Sequence, residues 1–125
     1  MIRGDRMKLT INSIYCNATC SGIQEDNVFL IIQADGGPPI HYPTIGAINM
    51  AAGDSMTLPT NGYTVEFDYG FVVTAWDRDS YIFKGLDSPD FLFDFNACTT
   101  SPASYTQTLY NENGAEYTYT RTISQ

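Results

Sequence analysis

The chain alternates. Leu9-Thr10-Ile11-Asn12-Ser13-Ile14-Tyr15 places apolar side chains at near two-residue intervals, the period of a strand with one face buried. Val28-Phe29-Leu30-Ile31-Ile32 reads as a fully apolar strand. Further segments recur at similar spacing: 45–50, Ser55-Met56-Thr57-Leu58, Tyr63-Thr64-Val65-Glu66-Phe67, the run from Phe71 to Trp76, Phe91-Leu92-Phe93-Asp94-Phe95, 105–110 and 117–123. Turn residues separate them, including Asp35-Gly36-Gly37-Pro38-Pro39, Ala51-Ala52-Gly53-Asp54, Asn61-Gly62 and Asn111-Glu112-Asn113-Gly114. Almost nothing carries a helical period. About eight strands of this kind predict an all-β fold, an eight-stranded antiparallel β-sandwich.

Two segments predict more than their own conformation. In the last strand Tyr117, Tyr119, Arg121 and Ile123 share one face and Thr118, Thr120 and Thr122 the other, so it is expected as an outer strand with a solvated side. The run Phe71-Val72-Val73-Thr74-Ala75-Trp76-Asp77-Arg78-Asp79 ends in two carboxylates one residue apart, which an extended chain turns to the same side. Like-facing carboxylates repel, and a divalent cation relieves them. Trp76, preceding Asp77, is then expected to point the opposite way, into the core.

Length and composition sharpen this picture. A chain of 125 residues with 43% hydrophobic and 14% aromatic residues is expected to form one domain with a real core. Six Lys plus Arg against fourteen Asp plus Glu give a net charge of −8, which repels nucleic acid and anionic lipid alike, so nucleic acid is not an expected partner. An acidic surface is reached only through a bridging cation. No stretch has the length and apolarity of a transmembrane helix, and residues 1–9 lack the apolar core of a signal peptide, which predicts a soluble chain and favours a cytoplasmic location. Residues 1–7 read as a flexible arm, in which Arg3-Gly4-Asp5 spells a cell-adhesion tripeptide without supporting pattern, and residues 8–125 as the sandwich domain.

Glu25, Asp26, Asp77, Asp79, Asp87 and Asp90 supply six carboxylates from two loops that an antiparallel sandwich brings to one end. Calcium takes six to eight oxygens in a flexible shell that loops provide readily, and the competing interpretation is an ordinary acidic rim. Between Asp79 and Asp87 stand Tyr81, Ile82 and Phe83 followed by Lys84, the composition of an interfacial anchor beside a cation site or of a loop folded back on itself.

Taken together, Leu9 to Tyr15, Glu25-Asp26-Asn27-Val28-Phe29-Leu30-Ile31, Thr74-Ala75-Trp76-Asp77-Arg78-Asp79 and Asp90-Phe91-Leu92-Phe93 resemble a C2 domain. In that family a strand ending in Trp-Asp-x-Asp feeds a loop with a third Asp before an Asp-Phe-Leu strand. The resemblance implies a calcium-binding sandwich in which Asp77 and Asp79 match the loop carboxylates, Asp90 or Asp87 the third, and Asp26 the carboxylate of the earlier loop. The chain departs from the family near Asn17 to Cys20, where a further carboxylate is absent, at Asn27 in place of proline, and at Phe95 in place of glycine.

Catalysis is not expected. The single histidine, His41, lies between Pro39 and Pro43 in what reads as a loop, and Cys16, Cys20 and His41 have no zinc spacing. Paired carboxylates suit glycoside hydrolysis, but a chain of this size leaves little room for a cleft. Three cysteines rule out a complete disulfide framework; a Cys16–Cys20 bridge and a glycan on Asn17 would each require secretion, reduced thiols are the preferred reading, and Cys98 is expected on the order of 20 Å from the other two. Three functions follow. The first is a non-catalytic calcium-binding module that docks on a membrane lipid or protein partner; the second is a calcium-independent interaction or assembly domain using tyrosines such as Tyr117 and Tyr119; the third is a carbohydrate-binding module with a structural calcium.

Overall fold

The computed structural model describes residues 6–19, 25–78, 90–94, 101–111 and 114–125, with the side chains of Asp90, Phe91 and Asp94 left out. The described residues form strands and connections without a helix. The strands are β1 (Met7–Ala18), β2 (Asp26–Ala34), β3 (Ile40–Tyr42), β4 (Ile48–Met50), β5 (Tyr63–Phe67), β6 (Phe71–Asp77), β7 (Asp90–Asp94), β8 (Ala103–Tyr110) and β9 (Glu116–Ser124). One sheet has the order β5-β1-β9-β8; the other has β3-β2-β6-β7, with β4 also on β2. Every pairing is antiparallel. This is the expected sandwich, and it differs in detail along the β2 edge. There β3 and β4 lie in line; in the other sheet, Ser55 makes only an isolated bridge to Tyr15 of β1 where a strand is predicted.

The core is the sum of inward-facing alternations. In β9 they are Tyr117, Tyr119, Arg121 and Ile123; in β2, Val28, Leu30 and Ile32; in β6, Phe71, Val73 and Ala75. In β1 they are Leu9 and Ile11, then Ile14 and Cys16, because the register with β9 shifts between Ile11 and Ser13 and resets which residues face inward. The opposite face of β9 is a row of hydroxyls: Thr118 pairs with Thr108 at 3.1 Å, Thr120 with Thr106 at 3.3 Å, and Thr122 with Ser104 at 3.1 Å. That face is solvated as expected, but β9 is not an outer strand. It lies between β1 and β8, and β8 forms the edge.

Arg121 departs from the apolar rule of the core. It is 4% exposed, its guanidinium carbon lies 5.0 Å from the Tyr105 ring and 5.1 Å from the Tyr119 ring, and Nε and Nη1 have no hydrogen-bond acceptor among the described residues. Among the described residues, two aromatic faces lie against the cation.

At the end opposite the start of β2, Arg6 joins the sandwich: it meets Asp68 at 3.1 Å, Glu66 at 3.2 Å and Asp35 at 3.8 Å. Asp35 also accepts the backbone N–H groups of Asp68, Tyr69 and Gly70. These bonds, led by that from Tyr69, hold its carboxyl below the usual range. Of the terminal arm read over residues 1–7, residues 1–5 lie outside the described residues, and Met7 opens β1.

The Asn61-Gly62 turn is fixed by Gly62 N–H donating to Pro59 O at 2.8 Å, with φ of 69° at Asn61 and 89° at Gly62. A Cβ on Gly62 would stand 2.6 Å from the Ile11 carbonyl oxygen and 2.8 Å from Thr10 Cγ2. Gly62→Ala is therefore expected to cost roughly 1–2 kcal/mol for the left-handed backbone and a further 1–3 kcal/mol for the clash. Gly53→Ala, also at positive φ but facing open space, should cost only the first. Equal urea midpoints for the two variants would contradict the close packing of this turn on β1.

Candidate metal centre

Antiparallel pairing brings the start of β2, the end of β6 and the start of β7 to one end of the five-stranded sheet. Val28 is opposite Asp77, and Asp77 is opposite Asp90. Asp26 lies two residues outward from Val28 on the same face, diagonal to Asp77 across the β2–β6 pair. Three of the residues expected as ligands thus converge, Asp90 by backbone position. Glu25 adjoins them and is exposed. Asp79 and Asp87, with Tyr81, Ile82 and Phe83, lie outside the described residues, and among the described residues no three His, Cys, Asp or Glu side chains form a group that could hold a metal ion.

The two carboxylates whose side chains are seen also brace the fold. Asp77 Oδ1 accepts the Asn27 N–H at 2.8 Å, and the Arg78 N–H donates to Asn27 O at 2.6 Å, which locks the end of β6 to β2. Asp26 is 1% exposed rather than part of an open rim. The Tyr117 hydroxyl donates to its Oδ2 at 2.6 Å, linking the two sheets. Burial, followed by the bond to Asp26, pushes the Tyr117 hydroxyl far above its ordinary pKa, so it remains a donor.

Asp54 belongs to the same end, although the sequence marks it only as a turn residue. The Cys16 N–H donates to Asp54 O at 2.8 Å, the Gly53 N–H to Cys16 O at 2.7 Å, and the Ala51 N–H to Asp54 Oδ2 at 2.9 Å. Burial chiefly, then the charges of Asp26 and Asp54, raise the Cys16 thiol above its usual range. Cys16 is a free, buried cysteine. Cys20 and Cys98 lie outside the described residues.

Several aromatic assignments change. Trp76 does not point into the core: it shares the outer face of β6 with Val72 and Thr74, and its Nε1–H donates to Thr74 Oγ1 at 2.9 Å. Phe29 stacks on it at 6.4 Å, and His41 stacks on Phe29 at 4.6 Å. His41 is therefore in strand β3 rather than a loop, with Nδ1 2.6 Å from the Pro43 carbonyl oxygen. In this row the rings turn their faces to one another, so Phe29 offers no open platform for a sugar. Tyr117 and Tyr119 are buried and cannot form a contact surface; Ile45, Tyr69 and Tyr110 are the large apolar side chains most exposed among the described residues.

No protein-family model matches the sequence, and no curated protein matches it. Solved structures do match in fold. A structure described as that of a C2 domain aligns over 96% of this chain and 98% of its own, with a TM-score of 0.50 and 11% identity. Human GIVD cytosolic phospholipase A2, in complex with methyl gamma-linolenyl fluorophosphonate inhibitor and terbium chloride, aligns over 94% of this chain with a TM-score of 0.51 and 10% identity. The alignment spans 17% of that phospholipase chain. The fold is C2-like, as the motifs around Asp26, Asp77 and Asp90 suggest.

Proposed function

We propose that this domain is a non-catalytic calcium-binding module that docks on a membrane or protein partner through its acidic end. The observation that carries this reading is the convergence of Asp26, Asp77 and Asp90 at one end of a C2-like sandwich. The donors are all hard oxygens, the set calcium prefers, and Asp79 and Asp87 follow in the connection between β6 and β7. Bound calcium would supply positive charge where the chain's own charge of −8 opposes an anionic surface. A non-catalytic role is supported by the position of His41, which pairs beside Ile31, about 17 Å along β2 from Asp26 at about 3.3 Å per residue.

A cation that binds only the folded state stabilises it by about 2.7 kcal/mol at a hundredfold excess over Kd. Millimolar calcium is therefore expected to raise the melting temperature, and Asp77→Asn combined with Asp79→Asn to abolish the rise. An unmutated domain that melts at the same temperature with calcium and with chelator would end this reading.

A further inference from the structure

Tyr117 lies in β9, in the middle of the four-stranded sheet, and Asp26 is the first residue of β2 in the opposite sheet. Their 2.6 Å bond crosses the interior between side chains that are each 1% exposed. The Tyr117 ring is itself held in place: it meets Phe93 of β7 edge-on at 5.4 Å, and its backbone pairs with Cys16 on one side and Leu109 on the other. Hydrogen bonds of this kind, from a hydroxyl to a carboxylate, are short and strong, and a buried carboxylate deprived of its donor is costly. The Oδ2 end of Asp26 is therefore held from the far sheet, by a residue that is not itself at the acidic rim.

Resting on the calcium reading above, we propose that Tyr117 is a positioning residue for the cation site, holding Asp26 by Oδ2 so that its carboxylate meets the ion in one fixed orientation. Partners that orient a metal ligand in this way typically contribute 10–100-fold to metal affinity. Cation binding is thereby coupled to the packing of β9 against β2. Tyr119, two residues along on the same buried face, sits beside Arg121 and is the matched comparison.

The test is terbium luminescence titration, with calcium competition, on the full chain and on Tyr117→Phe, Tyr119→Phe and Asp26→Asn, with near-ultraviolet circular dichroism to check packing. The expected result is a loss of at least tenfold in affinity for Tyr117→Phe and for Asp26→Asn, little change for Tyr119→Phe, and no further loss when Tyr117→Phe is added to Asp26→Asn. Should Tyr117→Phe lower stability but bind as tightly as the parent, the bond is a strut between sheets and the positioning role is overturned. Should Tyr117→Phe fail to fold, Asp26→Asn decides: unchanged affinity there removes Asp26 from the site and the proposal with it. A parent that binds neither terbium nor calcium overturns the calcium reading itself, an outcome distinct from either of these.

Discussion

Phe67→Ala is expected to lose about 3–5 kcal/mol, enough to unfold a domain of ordinary stability, whereas Trp76→Ala should lose less than about 2 kcal/mol. Phe67 is fully buried at the end of β5, paired with Met7 and edge-on to Phe71 at 5.0 Å, so truncation opens a cavity between the sheets. Trp76 is larger, but it stands half-buried on the outer face, where water fills the space left by its ring. Urea unfolding of the two variants measures the order directly. A larger loss for Trp76→Ala would return the indole to the interior and reverse the facing of β6.

The contrast shows where sequence reasoning about this chain succeeds and where it stops. Alternation along β6 is plain, and a strand does reverse its side chains at every step. The facing expected from Asp77 rests on the premise that a carboxylate points away from the core. Asp77 instead follows Phe71, Val73 and Ala75 on the inward side, at the strand's last residue, where the sandwich ends and a charge is tolerated. Asp26, expected on a loop, is instead the first residue of β2 and is buried, where it accepts a hydrogen bond from Tyr117, 91 positions along the chain. A pairing at that separation leaves no local pattern.

Local signals fared better. The Asn61-Gly62 turn and the split of β9 into a hydroxyl face and a large-residue face are both visible in the residues themselves. What β9 packs beside is a matter of topology, and that is why Tyr117 and Tyr119 could be read as a surface while they lie between two sheets. The shift in β1 does leave a local mark: two polar residues, Asn12 and Ser13, separate Ile11 from Ile14 where strict alternation allows one, and the register with β9 changes there. Asp54 was legible only as a turn residue, since its proximity to Cys16 follows from how residues 51–54 return to β1.

Calcium-dependent pelleting with anionic liposomes is expected for the parent domain and should be lost in Ile82→Ser/Phe83→Ser. The two residues lie in the connection between Asp77 and Asp90, the strand ends that meet at the acidic end. Calcium at that end acts only within a Debye length of about 8 Å at physiological salt, so it can neutralise the rim but cannot offset the repulsion from a chain of net charge −8. Apolar insertion must supply the remainder. Two side chains at roughly 1.5–3 kcal/mol each reach about 3–6 kcal/mol, the scale of a weak, reversible, roughly millimolar attachment. Removing both should therefore abolish pelleting while leaving the calcium-induced rise in melting temperature intact, which separates the anchor from the cation site. If the double variant pellets as well as the parent, attachment does not use this connection. If neither pellets although calcium still stabilises the fold, the cation serves a protein or sugar partner, and a lipid surface is excluded as the docking target.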